Sequence, residues 1–437
     1  MTTFQLLRSE LALWTIVVGV VCNVSCALVG CYLVLRRLSL LGDAISHAIL
    51  PGIVLAFLLT GEITGWPIIL GAMALGVLTA LLTQALCQFG DVPEDSSMGV
   101  VFTSLFALGV VLIARAAYHT HLDADCVFHG KIEFVALPGN TETILGVEVP
   151  WVLRTMAPVL VLTIAFIILL WKELKITSFD PALATALGIN ATLVHYLLMA
   201  LVAGVTVSAF EAVGAILVVA MLIVPGATAH LLTDRLGTMM LGAALVAMLS
   251  AVLGYVGAVL ANTSVAGMMA VMAGGQFLLA VLFAPRQGLC AKLLRNLKLM
   301  LRIQGEDYLG LLYRLAEARQ QGADPETLAR IRATWPAPRG WLGWLAVRGL
   351  RWQGALRRGA DETPQLTEAG WKRAASLVRA HRLWETYLEE NLPLPADHLH
   401  EPAHRMEHFL SPELQRDLEE QLRHPPVDPH GKTIPPG

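Results

Sequence analysis

Histidine and carboxylate side chains recur at regular spacing in the C-terminal part of this 437-residue chain. Four of them stand at i, i+4, i+7 and i+8, which is the spacing of one helix face. These four are His400, His404, Glu407 and His408. His381 and Glu385 form a further i, i+4 pair in the preceding segment. Because imidazole and carboxylate groups bind first-row divalent cations, the pattern predicts a metal site. The alternative is a polar helix face whose histidines bind nothing.

The same residues also fit a hydrolytic centre. His404-x-x-Glu407-His408 matches the inverted zincin pattern, in which two histidines hold zinc and the glutamate activates water. A five-residue pattern is easily matched by chance, and the 29 residues that follow it are rich in proline. They leave little chain for a substrate cleft, so a zinc protease is the disfavoured interpretation.

A second candidate pair, Asp43 and His47, lies at i and i+4 in a strongly apolar segment. On a helix both side chains point to one face. A rise of about 1.5 Å per residue from Arg37 places Asp43 about 9 Å and His47 about 15 Å along the helix. In a membrane span these positions approach the midplane, where ionisable groups are costly and usually functional. The pair suits Mn²⁺, Fe²⁺ or Zn²⁺, and a helix-packing pair or a helix cap is the open alternative.

Six more ligand-type side chains fall in one predicted loop. They are His119, His121, Asp123, Asp125, Cys126 and His129. Such a loop could gather a metal ion or hand it over, since imidazole, carboxylate and thiolate are all metal ligands. An ordinary polar loop is the alternative.

The elements that must position these residues change character near Arg286. The first 285 residues hold only 24 charged side chains, whereas the remaining 152 hold 41. Nine apolar stretches in the first part approach the ~20 residues needed to cross a bilayer core. They cover residues 11–35, 44–61, 66–87, 97–115, 151–171, 192–211, 213–231, 237–260 and 264–285. Pro225 and Gly226 predict a re-entrant or broken helix at 213–231. The composition predicts a polytopic helical bundle of eight or nine spans, followed by a soluble region.

Basic residues mark one side of the predicted bundle. Those that follow the first, fifth, seventh and ninth stretches are Arg36, Arg37, Lys172, Lys175, Arg235 and Arg286. With nine crossings all of them face the same side, and the positive-inside rule makes that side cytoplasmic. The soluble region is then predicted to be cytoplasmic, and the loop 116–150 to be external.

The segment 177–189 falls on the cytoplasmic side. Asp180-Pro181 is a helix-start signal and Gly188 a stop signal, so a short surface helix is predicted there. The chain contains no G-x-x-x-x-G-K-[ST] phosphate-binding loop. If ATP drives a process here, we expect a separate ATPase that pushes against this helix.

The soluble region is predicted to be helical. A basic, helix-like linker, 287–303, could lie on anionic lipid headgroups. Helical patterning covers residues 306–317, 325–334, 340–352, 367–391 and 397–423, with a polar, Gly- and Arg-containing stretch at 354–364. Three helices followed by such a stretch match a winged-helix plan, in which Arg339, Arg348 and Arg351 would meet DNA phosphates. The small net charge of the region favours the alternative, a helical domain with a solvated basic face.

Four segments of the apolar part carry a resemblance to known proteins. They are Leu41–Gly52 (LGDAISHAILPG), His121–Phe134 (HLDADCVFHGKIEF), Phe179–Ile189 (FDPALATALGI) and Val213–Ala229 (VGAILVVAMLIVPGATA). In this order, over residues 10–286, they resemble the zinc/manganese/iron class of ABC importer permeases.

This resemblance implies roles for two of the sites described above. Asp43 and His47 would belong to the translocation pathway. The segment 177–189 would be the helix that couples to the ATPase, through Phe179, Asp180, Ala182 and Gly188. The resemblance also implies three partners: an ABC ATPase, an extracellular or periplasmic metal-binding protein and a second permease subunit.

Five segments of the soluble region carry a second resemblance. They are Glu306–Tyr313 (EDYLGLLY), Leu366–Gly370 (LTEAG), Ala380–Leu388 (AHRLWETYL), Leu399–Ser411 (LHEPAHRMEHFLS) and His424–Pro435 (HPPVDPHGKTIP). Over residues 304–437 they are similar to the diphtheria-toxin-repressor family of iron- and manganese-dependent regulators.

The second resemblance implies two metal sites. One would hold His381, Glu385 and His400, and the other Asp307, His404, Glu407 and His408. Position 404 varies in that family, and Gly310 stands where its manganese-sensing branch has a carboxylate. The identity of the metal that is sensed therefore stays open. The divergent stretch 322–364 leaves binding to operator DNA open.

These observations predict an all-α chain with four parts. They are a permease domain (1–286), a basic linker (287–303), a degenerate winged-helix domain (304–366) and a metal-binding and dimerisation domain (367–437). The predicted function is the permease subunit of an ATP-driven importer for Mn²⁺, Fe²⁺ or Zn²⁺, with Mn²⁺ favoured, in the bacterial cytoplasmic (inner) membrane. The tail would couple uptake to regulation, either at operator DNA after proteolytic release near 286–303 or as a metal gauge that inhibits transport. A membrane-anchored zinc protease is the third interpretation.

Overall fold

The chain forms two compact units. The computed structural model describes residues 10–61, 66–116, 132–135, 141–144, 147–335, 337–359, 363–392 and 398–436. Their contacts divide the chain into Met1–Ala291 and Lys292–Gly437. This division falls close to the change of composition at Arg286.

The first unit is a bundle of apolar helices with one small hairpin. In chain order its helices are α1 (Glu10–Leu35), α2 (Ser39–Ala48), α3 (Leu50–Thr60), α4 (Trp66–Gly90), α5 (Glu94–Ala116), α6 (Trp151–Leu169), α7 (Trp171–Phe179), α8 (Pro181–Ala186), α9 (Ala191–Val213), α10 (Ala215–Leu232), α11 (Leu236–Ala261) and α12 (Val265–Phe283). The strands β1 (Thr141–Ile144) and β2 (Val147–Pro150) pair antiparallel between α5 and α6, with Thr141 opposite Pro150.

Seven helices among the described residues are long and apolar enough to cross a membrane. They are α1, α4, α5, α6, α9, α11 and α12. The predicted membrane bundle is therefore confirmed. The predicted spans at 44–61 and 213–231 correspond to shorter apolar helices, Leu50–Thr60 and Leu217–Leu232.

Two prolines act differently in these shorter helices. The predicted span at 44–61 is divided at Ile49, because Pro51 stands in the first turn of α3, the position that proline favours. Pro225 instead lies inside α10, which continues to Leu232, so the helix predicted to be broken is unbroken. Membrane helices tolerate an internal proline where neighbouring groups satisfy the freed carbonyl. Gly214, with φ +77°, makes the break between α9 and α10 instead.

Helix α1 lies at the centre of the bundle and packs against α10 and α11. Its close approach to α10 depends on Gly30, where an added Cβ would lie 1.7 Å from the carbonyl oxygen of Leu222. Small residues at such contacts let membrane helices pack closely. The position of α1 matters because the chain leaves it through Arg36 and enters α2 within four residues.

The second unit contains six helices and a short hairpin in its described residues. They are α13 (Leu289–Gln320, which starts just before the unit boundary), α14 (Pro325–Thr334), α15 (Gly340–Trp352), β3 (Leu356–Arg358), β4 (Pro364–Leu366), α16 (Glu368–Asn391), α17 (His400–Met406) and α18 (Pro412–Gln421). The antiparallel β3–β4 pair follows the third helix, in the order predicted for a winged helix.

The basic, helix-like stretch 287–303 lies mostly in α13, which runs unbroken from Leu289 to Gln320. One sequence prediction for this unit is corrected. The single helix predicted at 397–423 is two helices, because the side chain of Ser411 caps a new helix that has Pro412 in its first turn.

A small apolar core and buried ion pairs stabilise the second unit. Leu309 of α13, Leu350 of α15 and Leu366 of β4 belong to the same buried cluster. Arg382 of α16 is almost fully buried and donates two hydrogen bonds to the carboxylate of Glu317, at 2.6 and 3.0 Å. This bidentate pair fixes α16 to α13. Both helices carry candidate ligands, Asp307 on α13 and His381 and Glu385 on α16.

Candidate metal sites

The first ligand cluster joins α13 to the end of α17. It contains Asp307, His404, Glu407 and His408, and one ligand atom of each lies within 4.8 Å of the others. His408 Nε2 is 3.1 Å from Asp307 Oδ1, and His404 Nδ1 is 3.0 Å from Glu407 Oε1. Two imidazoles and two carboxylates at this spacing match the donor set of a first-row divalent cation.

The second ligand cluster joins α16 to α17. It contains His381, Glu385 and His400, whose ligand atoms also lie within 4.8 Å of one another. His381 Nε2 is 3.1 Å from Glu385 Oε1, and His400 Nδ1 contacts the same oxygen. Since His381 and Glu385 are buried while His400 is exposed, this cluster is open to solvent on one side.

Glu407 lies between the two clusters. Its Oε1 faces His404, whereas its Oε2 is 2.7 Å from His381 Nδ1. The side chain is fully buried, and Arg314 Nη2 lies 3.7 Å from Oε2. One carboxylate therefore contacts a ligand of each cluster, and a buried guanidinium partly offsets its charge.

Several of these ligand atoms are buried without a hydrogen-bond partner. They are Asp307 Oδ1, His381 Nδ1, Glu385 Oε1, Glu407 Oε2 and His408 Nε2. A buried polar atom that lacks a partner costs about 1–3 kcal/mol. The atoms converge at short distances but without hydrogen-bond geometry, and a shared cation would satisfy them. The residues present thus fit a bound divalent metal.

The mutual contacts shift the pKa values of the ligands. Burial opposes ionisation of Glu407, but His381 and His404 outweigh it and lower the pKa of Glu407 to about 2. Burial also opposes the charged form of His408, yet Asp307 and Glu306 raise the pKa of His408 to about 9. At neutral pH the metal-free first cluster therefore holds an ionised carboxylate beside a protonated imidazole. A cation must displace that proton in order to bind.

Three contacts around the clusters were not predicted as site residues. Glu306 Oε2 lies 2.9 Å from His408 Nδ1, which keeps a proton on that nitrogen and leaves Nε2 facing the cluster. His430 stacks on His400 with ring centroids 4.6 Å apart. Trp335 packs edge-on against His381 and His404, at 5.3 and 4.7 Å. Glu306 and His430 lie inside the segments that carried the resemblance, whereas nothing in the sequence pattern marked Trp335.

The geometry gives no support to a hydrolytic centre. Glu407 would have to activate a water molecule, but its side chain is fully buried. Both of its oxygens already face imidazoles, those of His404 and His381. This burial disfavours the zinc protease interpretation.

The membrane pair lies on one short helix. Asp43 and His47 both lie on α2, one helical turn apart. The half-buried ring of His47 meets Phe106 of α5 edge-on at 5.6 Å and lies 6.1 Å from Phe102. Metal binding by this pair stays a prediction. The predicted ligand-rich loop, 119–129, lies outside the described residues.

The predicted coupling segment forms a short capped helix, α8. The Asp180 carboxylate accepts a hydrogen bond from Leu183 N at 2.9 Å, and Gly188, with φ +82°, follows the end of the helix. Phe179, Ala182 and Leu183 are exposed. The segment thus presents an apolar surface on a rigidly capped turn, and its contact with an ATPase stays a prediction.

The arginines predicted to meet DNA lie on or beside α15. Arg339 precedes the helix, Arg351 is in its last turn, and both are exposed. Arg348 lies over the rings of Trp344 and Trp352, at 5.2 and 5.6 Å from their centroids. The exposed face of α15 therefore carries tryptophan rings as well as arginines. Contact with DNA stays a prediction.

Two family models match the chain, one for each unit. Residues 8–284 match the ABC 3 transport family. Residues 367–436 match the iron dependent repressor, metal binding and dimerisation domain. The second match contains six of the seven ligands of the two clusters, all except Asp307.

Relatives of known type match most of this chain over nearly their whole length. The manganese transport system membrane protein MntD of Bacillus subtilis is 49% identical over 287 residues, which is 65% of this chain and 96% of MntD. The zinc transport system membrane protein TroD of Treponema pallidum is 38% identical over 350 residues, 79% of this chain and 92% of TroD. Among solved structures, PsaBC from Streptococcus pneumoniae in complex with Fab is 30% identical, with a TM-score of 0.55. The match covers 65% of this chain and 96% of that one.

These matches agree with the helical membrane bundle and with the clustered ligands of the tail. The protein lies in the bacterial inner membrane through its first unit and carries a soluble C-terminal domain. Its family consists of transporters rather than catalytic enzymes. The chain belongs to the ABC 3 transport family and also contains a metal-binding and dimerisation domain of the iron dependent repressor type.

Proposed function

We propose that this chain is the membrane subunit of an ATP-driven importer for a divalent transition metal, with Mn²⁺ as the favoured cargo. Family membership supports transport, and the relatives named above are manganese and zinc systems. Another relative, YfeD of Yersinia pestis, belongs to a chelated iron system and is 38% identical over 239 residues. Mn²⁺ is favoured because MntD, at 49% identity over its length, is a manganese protein.

Asp43 and His47 are proposed as the ligands that hold the ion during its passage. One carboxylate and one imidazole form an incomplete coordination shell, so water or a second permease subunit would supply the remaining ligands. Incomplete coordination favours brief binding, which a conducting site requires because the ion must also leave. The break between α2 and α3 at Ile49 lies two residues beyond His47.

Helix α8 is proposed as the surface that receives force from a separate ATPase. Its exposed apolar side chains, Leu183 among them, offer a docking surface, and its capped ends keep it a rigid unit. An extracellular or periplasmic metal-binding protein would deliver the ion from the opposite side. The roles of Phe179, Asp180, Ala182 and Gly188 rest on this assignment.

The tail is proposed to bind the same class of ion and to report its level. One observation carries this proposal: the two ligand clusters meet at the buried carboxylate of Glu407. The first cluster offers four protein ligands, twice as many as the membrane pair, so we expect it to retain the ion longer. A metal ion in the first cluster would supply the positive charge that holds α13 and the end of α17 together.

Binding of operator DNA is a second candidate output of the tail. The order α13, α14, α15 and the β3–β4 hairpin favours it, because this is the winged-helix order. The domain boundaries at 304–366 and 367–437 are proposed on the same grounds. The first candidate, a gauge that inhibits transport directly, needs no DNA.

Transport is tested with the full chain co-purified with its ATPase subunit and reconstituted into proteoliposomes. We expect uptake of ⁵⁴Mn²⁺ that requires ATP and is inhibited by excess Fe²⁺ or Zn²⁺ to different degrees. Uptake that does not depend on ATP would contradict the proposal. So would a complex that hydrolyses ATP without importing any of the three ions.

The output of the tail is tested with the full chain in lipid nanodiscs and the promoter DNA of its own operon. Metal-dependent retardation of the DNA supports the repressor output. If uptake by the proteoliposomes falls as Mn²⁺ on the side of the tail rises, while DNA is never retarded in nanodiscs, the gauge is supported. An unchanged transport rate in the double variant His381→Ala/His408→Ala at high internal Mn²⁺ would support the gauge further.

A further inference from the structure

Arg36 links the end of α1 to the segment that leads into α8. Its Nη2 donates a hydrogen bond to Thr177 Oγ1 at 2.8 Å, and its Nε donates one to Ser178 Oγ at 3.1 Å. Its Nη1 lies 3.3 Å from His195 Nδ1 of α9. These partners are more than 140 residues away along the chain.

The contacts of Arg36 differ from those expected of a basic residue at the end of a span. Such side chains usually extend toward lipid headgroups and water. Arg36 is instead partly buried and directs its guanidinium at three protein side chains, whereas the adjacent Arg37 is exposed. The pair therefore contains one arginine in contact with protein and one matched arginine in contact with solvent.

The partners of Arg36 lie on both sides of α8. Thr177 and Ser178 lie in the last turn of α7, shortly before the cap residue Asp180, and His195 lies in the second turn of α9, the helix that follows α8. The guanidinium thus holds the two chain segments that flank α8. At its own end Arg36 is three residues before α2, the helix that carries Asp43 and His47.

We infer that Arg36 is the positioning residue that transmits movement of α8 to α2. The inference rests on the proposed function, in which α8 receives force and α2 carries the transport ligands. A planar fork with three donors can hold both flanks of α8 in one geometry, whereas a lysine ammonium would hold one partner at a time. Loss of the fork leaves α8 free to move without displacing the end of α1.

The inference is tested by the number of metal ions imported for each ATP hydrolysed. The full chain is reconstituted with its ATPase in proteoliposomes, with ⁵⁴Mn²⁺ uptake and phosphate release measured together. For Arg36→Ala we expect the ratio to fall about tenfold while ATP hydrolysis continues, which is within the range of measured coupling effects. The ratio should fall less for Arg36→Lys, and Arg37→Ala, the matched control, should keep the wild-type ratio.

A second pair of substitutions tests the contacts without altering the arginine. Thr177→Val with Ser178→Ala removes both hydroxyl acceptors and leaves the shape of the segment nearly unchanged. We expect this variant to lower the ratio as Arg36→Ala does, and the triple variant to add no further loss, as for residues that act through one contact. Equal ratios in wild type and in either variant, with intact complexes, would overturn the inference. Failure of the wild-type complex to import metal with ATP would instead overturn the proposed function itself.

Discussion

Glu407 Oε2 lies 2.7 Å from His381 Nδ1, so a ligand of the first cluster contacts a ligand of the second. The two clusters therefore meet at a single carboxylate group, that of Glu407. A cation that draws Glu407 toward His404 and His408 also changes the environment of His381. Occupancy of one cluster is thus expected to alter affinity at the other, and by linkage the effect is reciprocal.

Glu407→Gln should weaken binding at both clusters, whereas His400→Ala should weaken binding at the second cluster alone. Loss of the shared charge removes a ligand from the first cluster and the partner of His381 from the second. We expect Mn²⁺ affinity to drop by at least about 100-fold at the first cluster and about tenfold at the second, the scale for partners that orient ligands. Calorimetric titration of the full chain resolves the two steps. Equal losses in both variants would contradict a shared carboxylate.

Metal binding at the first cluster should release a proton and should strengthen as pH rises. The pKa of His408 is raised to about 9, so below that pH the imidazole is protonated and the cation must displace the proton. Affinity should increase about tenfold per pH unit up to roughly pH 9 and then level off, since one proton is exchanged. Titrations in buffers with different ionisation enthalpies count the protons. Glu306→Gln removes one group that raises this pKa, so the affinity should level off at a lower pH.

Trp335 should report metal binding through its fluorescence. Its ring contacts His381 and His404, and Arg314 stacks on it with 3.8 Å between the guanidinium carbon and the ring centroid. Turning either imidazole toward a cation changes the polarity around the indole, so Mn²⁺ should quench part of the emission. Trp335→Phe should abolish this change while metal still binds. A Trp371→Phe variant, in which the altered ring packs on Tyr313 and away from the clusters, should keep it.

His47→Ala should stop metal uptake without loss of the protein from the membrane. The substitution removes the imidazole that, with Asp43, is proposed to hold the ion in α2. Uptake of ⁵⁴Mn²⁺ into cells that express the chain with its partner subunits is the measurement, and immunoblotting checks the amount. His230→Ala, at an exposed position near the end of α10, is the matched control and should transport normally. Normal uptake by the His47 variant would contradict the assignment of His47 to the transport pathway.

The ligands of the tail could be predicted from the sequence because they follow helical spacing. His400, His404 and His408 stand one turn apart, and periodicity alone places them on one side of a helix. What periodicity could not predict is which ligands meet across helices. The position of Glu407 against His381 depends on how α17 packs on α16, and the contacts of Trp335 depend on the end of α14.

One error in the tail has a local cause. The break within the helix predicted at 397–423 is marked in the sequence by Ser411-Pro412, a cap and a first-turn proline. The sequence pattern also separates a helix-like linker from a helix at 306–317, whereas the structure joins both in α13. The first turns of α13 are basic and exposed while its later turns are buried, and such a change of environment conceals the continuity of one helix.

The continuity of α13 restricts where a soluble regulator could be cut from the membrane. From Leu289 to Gln320 the backbone is one helix, about 48 Å long at 1.5 Å per residue. Proteases require locally unfolded chain, and residues 284–288 are the non-helical backbone between α12 and α13. A released fragment should therefore begin within those five residues and keep all of α13, including Asp307. A fragment that began later would have lost the first turns of the helix that supplies this ligand.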